Sequence, residues 1–171
     1  MSYMPLTILC LLSLLARTGY EQLKLRGTVK PDNKLAVAVV FFFMMLLWFS
    51  WFQLCPLDPL RLDLPLAVNW LGLGLVILGM ILAVAALVQL RGVENINHLV
   101  RTGVFRRLRH PMYTGFILWI AGWILYNGAG ASIAVGMAIG LSVFWWASLE
   151  EAHLRAKHGD AYEEYRKTTW F

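Results

Sequence analysis

Residues 66–90 read LAVNWLGLGLVILGMILAVAALVQL. The block carries no charge and is longer than the ~20 apolar residues a helix needs to cross a bilayer. A second uncharged block, 35–54, is rich in Phe and Met and places Trp48 and Trp51 toward one interface. A third occupies 131–149. The apolar residues therefore come in blocks of spanning length rather than in amphipathic stripes. Composition agrees: the 171-residue chain is 59% hydrophobic and 15% charged, with mean hydropathy +0.61, too apolar for a water-soluble globule. The expected fold is all-α, a polytopic membrane helix bundle with about five transmembrane helices and a cytoplasmic C-terminal helix. It is read as a single membrane domain, 1–171, in which 1–90 supplies N-terminal spans.

Gly72-Leu-Gly74 within the first block imitates a nucleotide fingerprint, but no strand precedes it, and close helix packing is the expected use. Upstream, residues 4–16 form a short apolar run. A signal peptide needs a positive segment before such a run, whereas here the basic flank follows it, so a short first span or an interfacial helix is expected. Residues 18–34 are polar and basic, with Gly27 and Pro31 as breakers, and read as a loop. Residues 55–65 hold Pro56, Pro59 and Pro65 and read as a compact loop.

Downstream, the polar loop 91–109 leads into 103–115, GVFRRLRHPMYTG. Pro111 lacks an N–H and has a fixed φ, so it suits the first turn of a helix and holds the residues before it extended. Arg106, Arg107, Arg109 and His110 thus form a basic approach to a helix start, which itself attracts anions. A shorter apolar segment, 114–127, then turns through Asn127-Gly-Ala-Gly130 into the last span, where Gly136-xxx-Gly140 offers a packing face. The last two spans form a hairpin whose ends return to one side. Glu150 and Glu151 leave the membrane there, opposite Arg109 and His110. Ionisable groups at a membrane boundary are costly and usually functional; the alternative reading of the pairing is a structural salt bridge that locks the hairpin. The tail continues the last span as a helix with a stop or kink at Gly159, and Tyr162 and Tyr165 share a helical face.

Charge placement orients the chain. With loops 17–34 and 91–109 and the tail on one side, Arg61 alone of the fifteen Lys and Arg residues lies on the other. The positive-inside rule makes the crowded side cytoplasmic, in a multi-pass protein of the cell (inner) membrane. The net charge of +5 is thereby explained by loops rather than by nucleic acid. Cys10 and Cys55 stand alone, suggesting neither a disulfide framework nor a metal site. His98, His153 and His158 lie on solvated polar stretches and are not read as ligands, while Arg106 and Arg107 are expected at lipid phosphates.

Gly103-x-Phe105-x-x-x-Arg109-His110-Pro111-x-Tyr113-x-Gly115, followed after the hairpin by Glu150-Glu151-x-x-Leu154 and Gly159-x-x-Tyr162-x-x-Tyr165, resembles the membrane methyltransferases of the isoprenylcysteine carboxyl methyltransferase type. Their wider superfamily includes phospholipid N-methyltransferases. The resemblance covers 91–171; the N-terminal half matches only as generic spans. It implies an S-adenosylmethionine pocket built from the last two spans and the tail, formed by Arg109, His110, Pro111, Tyr113, Gly115, Glu150, Glu151, Tyr162 and Tyr165, with Arg109, His110 and Glu151 catalytic. In that pocket Arg109 and His110 suit the cofactor's carboxylate, Glu150 or Glu151 its ammonium or ribose, and the three tyrosines its adenine or sulfonium. His110 is the base if an amine or thiol acceptor must lose a proton. Pro111 and Gly115 serve mainly to start and pack a helix. The acceptor expected is lipophilic or lipid-attached, contacted largely by 1–90, in the company of membrane lipids and without metal. Two other readings stand beside this one: an NADPH-dependent reductase of the sterol-reductase type, for which the chain is short and lacks a basic cluster for a 2′-phosphate, and a non-catalytic membrane accessory protein. The chain departs from its relatives in ending Lys167-Thr-Thr-Trp-Phe.

Overall fold

The computed structural model describes residues 2–29, 33–90 and 99–171. His98, Pro31 and the loop segment 91–98 lie outside the described residues. Six α-helices follow one another: α1 Tyr3–Leu25, α2 Lys34–Leu54, α3 Leu66–Leu90, α4 Pro111–Asn127, α5 Ser132–His158 and α6 Asp160–Lys167, with 3-10 turns at Cys55–Leu57 and Gly103–Arg106. Among the described residues there is no sheet. Four helical segments, Tyr3–Leu25, Lys34–Leu57, Leu66–Leu90 and Ser132–His158, are long and apolar enough to cross a membrane. The fifth expected span, α4, has 17 residues and is not among these four. Leu12, Phe42, Ile81, Val88 and Leu141 are exposed on the outer faces, as apolar side chains are where the solvent is lipid. Inside, Leu6, Leu47, Trp51, Ile120, Ile139 and Trp146 join α1, α2, α4 and α5 in one core.

The expected loop at 18–34 is corrected by the structure: the first helix does not end near Ala16 but continues to Leu25. Its charges are neutralised internally. Glu21 pairs with Arg17 one turn before it and with Lys24, 3.0 Å away, one turn after it. The Arg17 guanidinium also lies 4.9 Å over the ring of Trp146 on α5. Paired and stacked in this way, the charges cost the helix little at a membrane boundary.

The closest packing joins α3 to α4 through four glycines. A Cβ on Gly79 would stand 2.5 Å from the carbonyl oxygen of Gly115, and one on Gly122 would stand 2.5 Å from that of Gly72. Each pair of glycines is spaced by two helical turns, so both contacts fall on one face. In lipid, where apolar burial drives no association, such backbone contact is a main source of helix affinity. Gly74 faces open space, so of the Gly72-Leu-Gly74 pair only Gly72 packs a helix. Gly136 meets the side chains of Ile124, Trp51 and Ile120, whereas Gly140 makes only an ordinary contact with Ile117.

At the end away from the basic motif, the turn between α4 and α5 is closed by Gly128 at φ 59°. Arg61 donates to the Asn127 carbonyl at 2.6 Å, a cation at a helix C-terminus. Asp58 caps α5: its carboxylate accepts from the N–H of Ala131 (3.1 Å) and from the N–H of Ser132 (2.7 Å) and its hydroxyl. Burial pushes the Asp58 carboxyl up, but the Ser132 hydroxyl and the N–H groups of Leu60, Ser132 and Ala131 more than offset it, leaving the group below its ordinary value of 3.8. The folded value is thus the lower one, so this contribution is fully present above 3.8 and is lost as pH falls through the folded value. Asp58→Ala is expected to destabilise the protein by about 1–2 kcal/mol. In thermal unfolding, it should also show a smaller loss between pH 6 and pH 3 than the unsubstituted chain does.

Candidate functional site

The basic motif approaches the bundle through a turn that only glycine fits. Gly103 has φ +61°, which residues with a side chain rarely adopt, and it lies against the end of the Gln89 side chain. Gln89 Oε1 then accepts from Val104 N–H at 3.1 Å, tying the turn to the end of α3. Phe105 is buried beneath it, and its carbonyl accepts from the Tyr165 hydroxyl at 2.6 Å. Burial pushes the Tyr165 hydroxyl up to about 12, so it remains a donor. Pro111 occupies the first turn of α4, behind His110 at the N-cap.

Because α4 and α5 form a hairpin, the motif meets the acids. Arg109 Nε donates to Glu151 Oε1 at 3.0 Å. His110, 3% exposed, places Nε2 at 3.3 Å from the same oxygen and Nδ1 at 3.8 Å from Glu150 Oε2. Arg109 Nη1 donates to the carbonyls of Thr169 (2.8 Å) and Arg166 (3.1 Å). The chain beyond α6 is bound there a second time: Arg109 N–H donates to Trp170 O, and Trp170 N–H to Arg107 O. Phe171 then lays its ring 5.4 Å from that of His110 and 5.2 Å from Phe144. The C-terminal segment Lys167-Thr-Thr-Trp-Phe is therefore seated on the motif.

The expected site residues divide into three groups. Arg109, His110, Glu150 and Glu151 come together as one charged cluster. Arg109, Tyr113, Glu150 and Tyr165 line a polar cavity of about 90 Å³, which Arg17, Glu21 and Lys24 of α1 close from the other side. His110, Pro111, Gly115, Glu151 and Tyr162 are not among its lining residues. Gly115 is spent on α3, and Tyr162 is fully buried beside the cluster with its hydroxyl unpartnered among the described residues. Burial, then the Glu151 charge, push that hydroxyl up to about 12. Arg101, assigned no role from sequence, hydrogen-bonds the Ala161 carbonyl and lies 5.9 Å over the Tyr165 ring.

A second cavity, about 540 Å³, lies between α2 and α3 with α4 behind it. Val40, Met44, Trp48, Ala83, Phe116 and Trp119 make it apolar, and the exposed Phe41, Met45 and Val84 stand at its mouth toward lipid. Arg17, Met112, Tyr113 and Trp146 line both cavities, so the two meet at these residues. Sequence reasoning missed Arg17, Glu21 and Trp146. The Arg-x-x-x-Glu spacing on a continuing helix was the available signal for the first two; nothing in the sequence marks Trp146.

Among known proteins, a model of the phospholipid methyltransferase family matches residues 67–161. A protein-S-isoprenylcysteine O-methyltransferase of Schizosaccharomyces pombe is 33% identical over 110 residues, covering 56% of this chain and 44% of that protein. Probable protein-S-isoprenylcysteine O-methyltransferases of Oryza sativa subsp. indica and japonica are 29% identical over 108 residues, 57% of this chain and 56% of theirs. The chain thus spans about half the length of the curated relatives it matches. No solved structure matches it.

Proposed function

Since the chain belongs to the phospholipid methyltransferase family, we propose that it transfers a methyl group from S-adenosylmethionine to a lipophilic or lipid-attached acceptor at the cytoplasmic face of the membrane. The observation that carries this reading is the meeting of the polar cavity with the lipid-facing cleft at Arg17, Met112, Tyr113 and Trp146. A polar donor and an apolar acceptor, which do not share a solvent, are brought together at that point.

The side chains present match the donor's charged groups in chemistry. Arg109 lines the polar cavity and, among the described residues, carries no hydrogen bond on Nη2, which suits a carboxylate. Glu150 lines it too, beside Tyr113 and with His110 Nδ1 at 3.8 Å from its Oε2, and its carboxylate suits an ammonium. Tyr113, Tyr165 and Trp146 supply faces for adenine and for a sulfonium. When bound, this donor supplies an electrophilic methyl group on sulfur. The protein's part is alignment and exclusion of water: Tyr113 and Trp146 wall the junction, and the Glu151–Arg109–His110 cluster fixes the start of α4 against α5. A carboxylate acceptor needs no base. For an amine or thiol, the departing proton goes to Glu150 Oε2 and on to His110 Nδ1.

Calorimetry of the purified protein in detergent tests the reading, with S-adenosylhomocysteine and NADPH titrated separately. Saturable binding of S-adenosylhomocysteine that His110→Ala removes from still-folded protein is the expected result. Binding of NADPH alone sinks the proposal in favour of a reductase.

A further inference from the structure

On the side of the basic motif, a third, open hollow of about 480 Å³ is lined by Arg101, Arg106, Arg107, Glu164, Tyr165 and Thr168. It shares Tyr165 alone with the polar cavity and no residue with the lipid-facing cleft. Three guanidinium groups thus line one space, with Glu164 as the single carboxylate. Among the described residues no ion pair joins Glu164 to any of them. Arg101 is held in place: it donates to the Ala161 carbonyl and lies 5.9 Å over the Tyr165 ring, whose hydroxyl donates to the Phe105 carbonyl. The exposed Arg106 and Arg107 side chains make no hydrogen bond or ion pair among the described residues, so their donors are left for an outside acceptor. Like charges lining one hollow repel unless an anion stands between them, and the planar guanidinium fork matches phosphate oxygens.

The tail indicates where that phosphate comes from. Trp170 N–H donates to the Arg107 carbonyl at 2.8 Å, and Trp170 O accepts from Arg109 N–H at 2.9 Å. The backbone of Trp170 is therefore fixed beside Arg107, while its side chain stays 77% exposed. The next residue, Phe171, lies 5.2 Å from Phe144, an exposed ring on the membrane-spanning α5. An indole held out next to a lipid-facing ring belongs at headgroup level, where tryptophan is enriched. A phosphate free in water would have no use for it. A zwitterionic headgroup brings its own ammonium, for which the lining offers only Glu164 against three guanidinium groups.

We propose that Arg101, Arg106 and Arg107 bind the phosphate of an anionic phospholipid in the leaflet on this side, with Trp170 set among the neighbouring headgroups. The lipid is a ligand of the protein and not its methyl acceptor, because its site lies on the turn before α4 and on α6, apart from the cleft. The proposal goes beyond the methyl-transfer reading and does not depend on it.

The test titrates the purified full chain in nonionic detergent, by calorimetry, with dihexanoyl phosphatidylglycerol, dihexanoyl phosphatidylcholine and inorganic phosphate. Titrations into detergent alone are subtracted. Phosphatidylglycerol should bind about tenfold or more tighter than phosphatidylcholine, and tighter than inorganic phosphate. A basic residue at an anionic lipid surface is worth about fivefold in affinity, so Arg107→Gln should weaken phosphatidylglycerol about fivefold and Arg106→Gln with Arg107→Gln about 25-fold. Arg26→Gln, which removes an exposed cation outside the hollow, should leave the affinity nearly unchanged. Trp170→Ala should weaken phosphatidylglycerol severalfold and leave inorganic phosphate as it was. Equal affinity for the two lipids, or unaltered binding in the double variant, would overturn the proposal. Inorganic phosphate binding as tightly as phosphatidylglycerol would overturn it in favour of a free anion. A loss from Arg26→Gln equal to that from Arg107→Gln would overturn it by tracing the effect to net charge. Should the double variant not fold, unaltered phosphatidylglycerol binding in folded Trp170→Ala would overturn it equally.

Discussion

Gly115→Ala is expected to destabilise the protein by about 3 kcal/mol or more, although it adds a single methyl group. That methyl would press on the carbonyl oxygen of Gly79 and lie 3.1 Å from the Ala83 nitrogen, so its neighbours are backbone that cannot rotate away. Relief requires α3 and α4 to separate, which also loosens the matching contact of Gly72 with Gly122. Overpacking against flexible side chains costs about 1–3 kcal/mol, and rigid backbone on both sides places this substitution at or above the top of that range. Total stabilities are only about 5–15 kcal/mol. Gly74→Ala, on the same helix as Gly79, is the matched control. Its new methyl meets open space, so better helix propensity should leave it neutral or up to about 1 kcal/mol more stable. Thermal unfolding in detergent separates the two. Equal stabilities would show that the interlock does not hold the bundle together.

The second large effect is expected at Glu151. Its Oε1 is shared by Arg109 Nε at 3.0 Å and His110 Nε2 at 3.3 Å, with both side chains of the Arg109–Glu151 pair mostly buried. Glu151→Gln keeps the shape and one acceptor oxygen but removes the charge that holds the two together. Arg109 stays bound to the Thr169 and Arg166 carbonyls, so the fold should survive with a loss of about 1–3 kcal/mol. The alignment of His110 with Glu150 and the cavity should not survive. Methyl transfer is expected to fall about 100-fold, as a misplacement of roughly 1 Å can cause. Initial rates with a labelled donor, read beside thermal unfolding, distinguish a site from a lock. Full activity in a less stable protein would make the cluster purely structural.

The sites of these two predictions differ in how legible they were. Glu151, Arg109 and His110 were visible because charges beside long apolar blocks are rare, and because a hairpin closed by Gly128 must return its ends to one side. Gly79 and Gly122 were not singled out at all. Gly115 was noted within the motif, but its partner on α3 depends on how two helices face each other, which no local pattern encodes. The end of α1 was misread because charges at 17, 21 and 24 look like loop residues when read singly. They are helical because they neutralise one another and because Trp146, far along the chain, offers its ring to Arg17.

The sequence by itself determined the apolar solvent, the long apolar blocks, the gathering of the charges in the segments between them and the residue types of the motif. These follow from block length, charge placement and the restrictions of proline and glycine, all of which are local. Tertiary structure alone decided that Arg109 is largely spent on Glu151 and the tail, that Gly115 and Tyr162 lie outside the cavity, and that an arginine of the first helix stands where the polar cavity meets the lipid-facing cleft. Those outcomes depend on contacts between distant segments, which are set by packing and not by sequence neighbours.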